Sequence, residues 1–297
     1  MVRVIRSFLL IYLIFLCHST YSQGFNIGIR AGLSQTKFNG PLEKDFGESY
    51  SLNGGFHFGL SFQWNFNDLI GLRSEVVYNQ MGSSYKLDTD NGYYVFPQTL
   101  NNFETPILRD TSLINLNHSN AYIQLPQTVH FSIGEKLELF AGGYIGFLVS
   151  PVATGTVTFG GPSGSQEHSF RQGLNFNYFS DDAETINDIF TQRVEDIEIR
   201  VDGLDVDIFG ITNSYNFMEF NIDRSRFLSI DWGLVGGASY YLNRGLFIMG
   251  RVEYGVRDIT RNTTDYSFAR VNDDKSPVFN NDSDRNLGFY LSLGFKF

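Results

Sequence analysis

The last stretch of the chain, Asn286–Phe297, separates by parity. Leu287, Phe289, Leu291, Leu293, Phe295 and Phe297 are large and apolar, whereas Asn286, Gly288, Tyr290, Ser292, Gly294 and Lys296 are mostly small or polar. A period of two predicts a β-strand with one apolar and one polar face. The segment has the length of a tilted strand that crosses a bilayer, about 9–11 residues, and it ends on an aromatic ring. Seven further segments repeat the pattern: Phe25–Ser34, Ser51–Trp64, Ile70–Gly82, Asn120–Ser132, Leu137–Val149, Ser229–Leu242 and Leu246–Arg257. In the first of these, Phe25, Ile27, Ile29, Ala31 and Leu33 oppose Asn26, Gly28, Arg30, Gly32 and Ser34. Pro126 lies inside Asn120–Ser132; it has no N–H to give to a ladder and predicts a bulge there.

The joints alternate in length. Asn65–Leu69, Ile133–Lys136 and Asn243–Gly245 are short and carry Asn, Asp and Gly, the residues of tight turns. Gln35–Tyr50, Ser83–Ser119, Ser150–Leu228 and Asp258–Arg285 are long. A soluble sandwich has no reason to alternate in this way. An up-and-down barrel in an outer membrane does, with short periplasmic turns and long external loops. The pattern therefore predicts an all-β fold: an eight-stranded antiparallel up-and-down transmembrane β-barrel with long extracellular loops and both termini on the periplasmic side. Within Ser150–Leu228 a hairpin is expected. Ile197, Ile199 and Val201 alternate with charges, Asp202-Gly203 supplies the turn, and Leu204, Val206 and Ile208 alternate again. Its arms are short and poor in aromatics, so it is expected outside the wall.

Composition adds a compartment. Arg3 and Arg6, the apolar run Phe8–Cys17 and a small-residue finish at Ser22 have the three regions of a secretory signal peptide. Residues 1–22 are expected to be removed, leaving 23–297 as the barrel, with 150–228 as a long acidic external loop. Cys17 goes with the leader, so the mature chain would hold neither a disulfide nor a thiol nucleophile. The formal charge of −10 becomes more negative without those two arginines, which excludes nucleic acid as an expected partner.

Arg30, Arg73, Glu75, Glu138, Asp231, Arg251, Glu253 and Lys296 all fall on the polar, inward faces. Two readings are open, a charged selective pore and a salt-bridged plug. An eight-stranded barrel is only wide enough for side chains, which favours the plug. Arg73/Glu75 and Arg251/Glu253 are then expected to cross-neutralise near mid-strand. His57 and His130 point inward, and His118 and His168 lie in loops, at no spacing that implies a catalytic triad. Asp202–Asp207 does not fit a calcium loop. No Gly-rich phosphate loop and no Cys/His cluster is present. No catalytic, cofactor-binding or metal-binding residue is assigned, no cofactor is expected, and the chain is read as a non-enzyme. A hydrolase carried on the loops at the outer leaflet is the competing expectation, and a narrow pore another.

Several stretches resemble the PorT-like outer-membrane β-barrel family. They are GFNIGIRAGLSQTKF at the mature start, FGLSFQWNFNDLIGLRSEVVYNQMG, the Tyr122-Ile123-Gln124-Leu125-Pro126 run, DWGLVGGASY and the terminal LGFYLSLGFKF. The resemblance covers all eight strands and leaves the loops unmatched. It implies an outer-membrane barrel and a link to protein secretion or envelope integrity. The expected partners are outer-membrane lipid and a protein that meets the external loops, the barrel itself being monomeric. The aromatics of Ser150–Leu228 (Phe170, Phe176, Tyr178, Phe179, Phe190, Phe209, Tyr215, Phe217 and Phe220) stand among acids. They suit either a protein contact or a lid that buries its own rings over the barrel mouth.

Overall fold

The alternating segments close on themselves. The computed structural model describes residues 24–42, 47–95, 107–160, 169–181, 197–201, 204–214, 217, 226–262, 268–272, 277–279 and 283–297. The expected leader therefore lies outside the described residues. The strands are β1 (Phe25–Asn39), β2 (Ser49–Asn65), β3 (Ile70–Val95), β4 (Ile107–Ile133), β5 (Leu137–Phe159), β6 (Phe170–Asn177), β7 (Ile197–Val201), β8 (Leu204–Ile208), β9 (Ile211–Thr212), β10 (Ile230–Tyr241), β11 (Leu246–Gly255), β12 (Phe268–Val271), β13 (Pro277–Phe279) and β14 (Arg285–Lys296). Eight of them, β1–β5, β10, β11 and β14, form a ring in which every pair is antiparallel; β14 returns to β1, and β10 joins β5 to β11. Closure pairs every wall strand on both sides, which is what lets a sheet live in lipid.

Side chains sort as the parity predicts. Leu33, Phe58, Leu60, Leu234, Leu291 and Leu293 face outward and are exposed, Leu33 at 73% and Leu291 at 63%. They belong to the lipid-facing band. Inward positions are buried, and large side chains sit beside glycines: a Cβ on Gly288 would collide with the Tyr290 ring, and one on Gly294 with Phe247. The short turns are built from Asn and Gly. Asn67 Oδ1 accepts from the N–H groups of Leu69 and Ile70, both at 2.8 Å, and Asn243 Oδ1 does the same for Gly245 at 2.9 Å and Leu246 at 2.8 Å. Gly134, in the β4–β5 turn, has φ +64°, a conformation that favours glycine. Phe25 pairs with Trp64 beside the β2–β3 turn, and the Lys296 N–H donates to Gly245 O at 2.9 Å. Both described ends of the chain thus lie at the short-turn, periplasmic end.

Three wall strands run far beyond their expected ends, and β1 also runs on from Ser34 to Asn39. β3 has 26 residues, β4 has 27 and β5 has 23. The Ser83–Ser119 connection, expected as a loop, is largely a continuation of the β3–β4 ladder, paired from Ser83↔His118 to Val95↔Ile107. The physical reason is an inversion of polarity at the rim. Inside the membrane the inward residues of β3 include the polar Arg73, Glu75 and Asn79; above it they include Tyr85 and Leu87, and the outward ones become Lys86, Asp88 and Asp90. The strand persists while its apolar face changes side.

The bulge expected at Pro126 is corrected. No register shift occurs at Pro126, which pairs with Tyr144 in an unbroken β4–β5 register. On its other side the ladder to β3 lapses between Ser74↔Gln127 and Val77↔Gln124 and resumes in the same register. The irregularity sits higher, where Ala121↔Ser150 is followed by Tyr122↔Leu148, so that Val149 is the extra residue. From there the buried parity of β5 changes from Tyr144, Gly146 and Leu148 to Pro151, Ala153, Val157 and Phe159. Bulges favour barrel rims because they re-aim side chains.

Ser150–Leu228, expected as an external loop with one hairpin, continues the sheet. β6 pairs antiparallel with the outer part of β5, from Val152↔Asn177 to Phe159↔Phe170, and β9 adds two parallel pairs to β6. The hairpin forms as β7–β8, a two-stranded sheet separate from the wall; its turn residues lie outside the described set. Over the barrel mouth this sheet builds a second core. Phe38, Tyr85, Leu116, Phe176, Phe227 and Ile259 are at most 2% exposed. Above them Tyr94, Phe159 and Phe170 pack with Ile199 and Ile208 of the hairpin.

Candidate functional site

The inward charges lie in three layers. Nearest the short turns, Arg73 pairs with Glu138, and both are buried. Gln63 braces the pair: its Oε1 accepts from Arg73 at 2.9 Å and its Nε2 donates to Glu138 at 3.4 Å. His130 Nδ1 lies 3.1 Å from the same carboxylate. Lys296 is half-buried here, its ammonium 4.6 Å from the centre of the Tyr241 ring.

The middle layer is a chain of four charges. Arg30 grips Glu75 with two nitrogens, at 2.9 and 3.2 Å. Arg251 reaches Glu75 at 3.2 Å and Glu253 at 2.9 Å, and lies over the Tyr290 ring at 4.9 Å. Glu253 also accepts from Gln124 at 3.2 Å and Asn79 at 3.4 Å. The expected Arg251/Glu253 pair therefore forms. Arg73 and Glu75 do not pair with each other. Partners reaching in from other strands take both groups: Glu138 takes Arg73, and Arg30 and Arg251 take Glu75. In the upper layer Asp231 accepts from the Tyr144 hydroxyl at 3.0 Å and from Asn286 Nδ2 at 2.9 Å. Among the described residues it has no basic partner.

All eight predicted inward charges thus face the lumen, and they balance, four acids against four bases. What sequence reasoning missed is the neutral packing between them: Gln63, Asn79, Gln124, Tyr144, Tyr290 and Asn286 connect the layers. Their inward parity was legible; their partners across the lumen were not. At the short-turn mouth a cavity of about 560 Å³ is lined by Gln63, Asn67, Glu138, Tyr241, Arg244 and Lys296. Further in, between Arg73, Glu75, Phe247 and Met249, lies a crevice too narrow for water, and the described side chains fill the section there.

Among the described residues the histidines lie inside the barrel and its cap. His57 Nε2 lies 2.7 Å from Ser292 Oγ, the spacing of a nucleophile and its base. Both are buried in the middle layer, at 1% and 2% exposure, and His57 Nδ1 has no partner to orient it. His118 stands above the rim among Phe38, Tyr85, Tyr178 and Phe227, stacked on Tyr178 at 6.2 Å. Burial, with Arg226 nearby, lowers its pKa to about 3, so it is neutral there. His168 lies outside the described residues. Among the described residues no group of three or more His, Cys, Asp or Glu is placed to hold a metal.

The loop aromatics turn inward. Phe170, Phe176 and Tyr178 are 5%, 1% and 6% exposed and belong to the cores over the mouth, whereas Phe179 is 46% exposed. Phe217 packs against both cores. Phe190, Tyr215 and Phe220 lie outside the described residues. Asp181, one of the acids of this segment, ties the end of β6 to the residues after β9. Its Oδ2 accepts from Asn177 N at 2.9 Å and from Ser214 N and Oγ at 2.8 and 2.7 Å.

A closed ring of eight antiparallel strands, apolar outside and plugged with charge inside, defines a transmembrane β-barrel of the outer membrane. The chain matches the family model of the outer membrane protein beta-barrel domain over residues 21–261 and belongs to that family. Among solved structures it is similar to Ail, the attachment invasion locus protein of Yersinia pestis, at 12% identity and a TM-score of 0.35, over 93% of this chain and 100% of Ail. Neisserial surface protein A aligns at 10% identity and a TM-score of 0.32, over 93% of this chain and 100% of that one. The outer membrane protease OmpT from Escherichia coli aligns at 8% identity and a TM-score of 0.31, over 94% and 99%. No curated protein matches the chain.

Proposed function

We propose that the protein is a non-enzymatic anchor: the plugged barrel holds an external β-cap at the cell surface, and the cap meets a protein partner. The observation that carries this reading is the continuity of β3, β4 and β5 from the lipid band into the external sheet. Above Ser83, β3 runs on for about 40 Å at the usual rise of about 3.3 Å per residue. Such a sheet, with its own core and a polar outer face that includes Lys86, Asp88, Asp90, Asn115 and Asn117, is a rigid surface rather than a set of tethers. The burial of the His57/Ser292 contact and of His118 supports a role without catalysis. The resemblance to PorT-like barrels extends the reading to protein secretion or envelope integrity.

The test is complementation of a null strain. Replacing Thr154–Asn221 by a Gly/Ser linker is expected to leave a barrel that still migrates differently on a gel before and after boiling, yet to restore no phenotype. Because that change strips the inner core as well, the pair Asp88→Lys and Asp90→Lys, which alters only the outer face, should weaken complementation without loosening the fold. Full complementation by both variants would sink the idea.

A further inference from the structure

The upper layer of the lumen has an acid with no base. Glu75, Glu138 and Glu253 each meet an arginine, whereas Asp231, with no solvent exposure, meets only hydroxyl and amide donors, both on its Oδ2. Its Oδ1 has no hydrogen-bond partner. It is not alone: the Tyr122 hydroxyl, Asn286 Oδ1 and both polar atoms of the Asn120 side chain are likewise buried without partners. Asn120 and Tyr122 have no exposure and Asn286 has 1%. These groups lie together. The Tyr122 hydroxyl is adjacent to the amides of Asn120 and Asn286, and Asn286 is hydrogen-bonded to Asp231. Gly255 places no side chain against Asp231 Oδ1; a Cβ there would stand in tight contact, 3.3 Å from it.

An isolated buried carboxylate is costly, and so is each unmet polar atom around it. The unmet atoms are four oxygens, Asp231 Oδ1, the Tyr122 hydroxyl, Asn286 Oδ1 and Asn120 Oδ1, against one amide nitrogen, Asn120 Nδ2, and a positive charge can answer the oxygens. We propose that Asp231, Asn120, Tyr122 and Asn286 form a binding site for a monovalent cation, sodium in the first instance, at the top of the lumen beneath the external cap. One carboxylate among neutral oxygens suits a single positive charge; a calcium site draws on several carboxylates and 6–8 oxygens. The ion would link β4, β10 and β14 across the lumen.

The experiment uses the full-length protein folded in detergent micelles. Its thermal unfolding midpoint, read from gel migration after heating, is followed in sodium chloride and in N-methyl-D-glucamine chloride at matched ionic strength. A saturable rise of the midpoint in sodium alone is expected, lost in Asp231→Asn and weakened in Tyr122→Phe and Asn120→Ala. If Asp231→Asn does not fold, the other two variants decide. Diffraction from crystals soaked in thallium salt should place an anomalous peak beside Asp231 Oδ1. Equal midpoints in the two salts, with no such peak, would overturn the proposal in favour of a protonated Asp231 or an ordered water. A sodium effect that all three variants retain would overturn it as well.

Discussion

Glu75 holds two arginines, and among the described residues no other acid in the lumen does. Its removal leaves Arg30 without its bidentate partner and Arg251 with Glu253 alone. Breaking a buried pair from one side costs about 3–5 kcal/mol. Glu75→Ala is therefore expected at the upper end of that range and Glu253→Ala nearer the lower, because Arg251 keeps Glu75. Urea titration of the detergent-folded barrel, followed by tryptophan fluorescence, gives both values; equal, small losses would show that the network does not carry stability. His118 supplies a pH dependence outside the membrane. Its folded pKa is about 3, against about 6.5 unfolded. The unfolded state binds the proton between these values, so the stabilisation from burying a neutral ring is complete above about pH 6.5 and is lost progressively towards pH 3. The cap should loosen to protease as pH falls through about 5, and His118→Phe should flatten that profile. At this scale the sequence told which residues face inward, because parity alone decides it. It did not tell that Arg73 goes to Glu138 rather than Glu75, because trans-lumen distance depends on register around the ring.

The strands were legible where lipid imposed one rule and illegible where water replaced it. A search for apolar residues on the outward parity stops at Gly82, since Lys86, Asp88 and Asp90 break it, although Tyr85 and Leu87 keep a period of two on the other face. The same inversion hides the outer half of β4, where Leu116 and Ile114 take over the inward face from Gln124 and Thr128. In β5 the signal was further scrambled by Val149. That residue gives a test at the scale of one element. Deleting Val149 places Ser150 directly after Leu148 and restores a single alternation along β5, which leaves Pro151, Ala153, Val157 and Phe159 on the inner face with their β4 partners unchanged. The wall below Leu148 keeps its pairing with β10. The variant is expected to fold as a heat-modifiable barrel whose cap resists trypsin as the wild type does. If the cap is cut under conditions that spare the wild type, the bulge itself, rather than the alternation above it, holds the cap core in place.

The molecule as a whole is two cores on one sheet, a charged one in lipid and an aromatic one in water, with the bulge and the polarity inversion marking the boundary. The alternation of short and long joints was enough to read the ring of eight, because strand number and closure follow from topology. The cap was not readable, since its core joins residues from five separate stretches: Phe38, Tyr85, Leu116, Phe176 and Phe227. This architecture bears on transport. A solute entering from the short-turn mouth reaches the Arg73–Glu138 layer, where the cavity ends, and beyond it stand the paired arginines, then Asp231 with Tyr144, then the aromatic cap. The acids and bases of the lumen balance, and the middle layer pairs two arginines with two glutamates, so no strong field draws one sign of ion through. Reconstituted in a planar bilayer, the purified protein is expected to give no stable, porin-sized conductance steps. Glu75→Ala should behave in the same way, because the guanidinium groups of Arg30 and Arg251 and the Tyr290 ring still fill the section. Its cost should appear as lost stability alone. Stable steps from the wild type would contradict a plugged lumen; steps from Glu75→Ala only would show that the salt bridges, rather than the packing around them, keep the barrel shut.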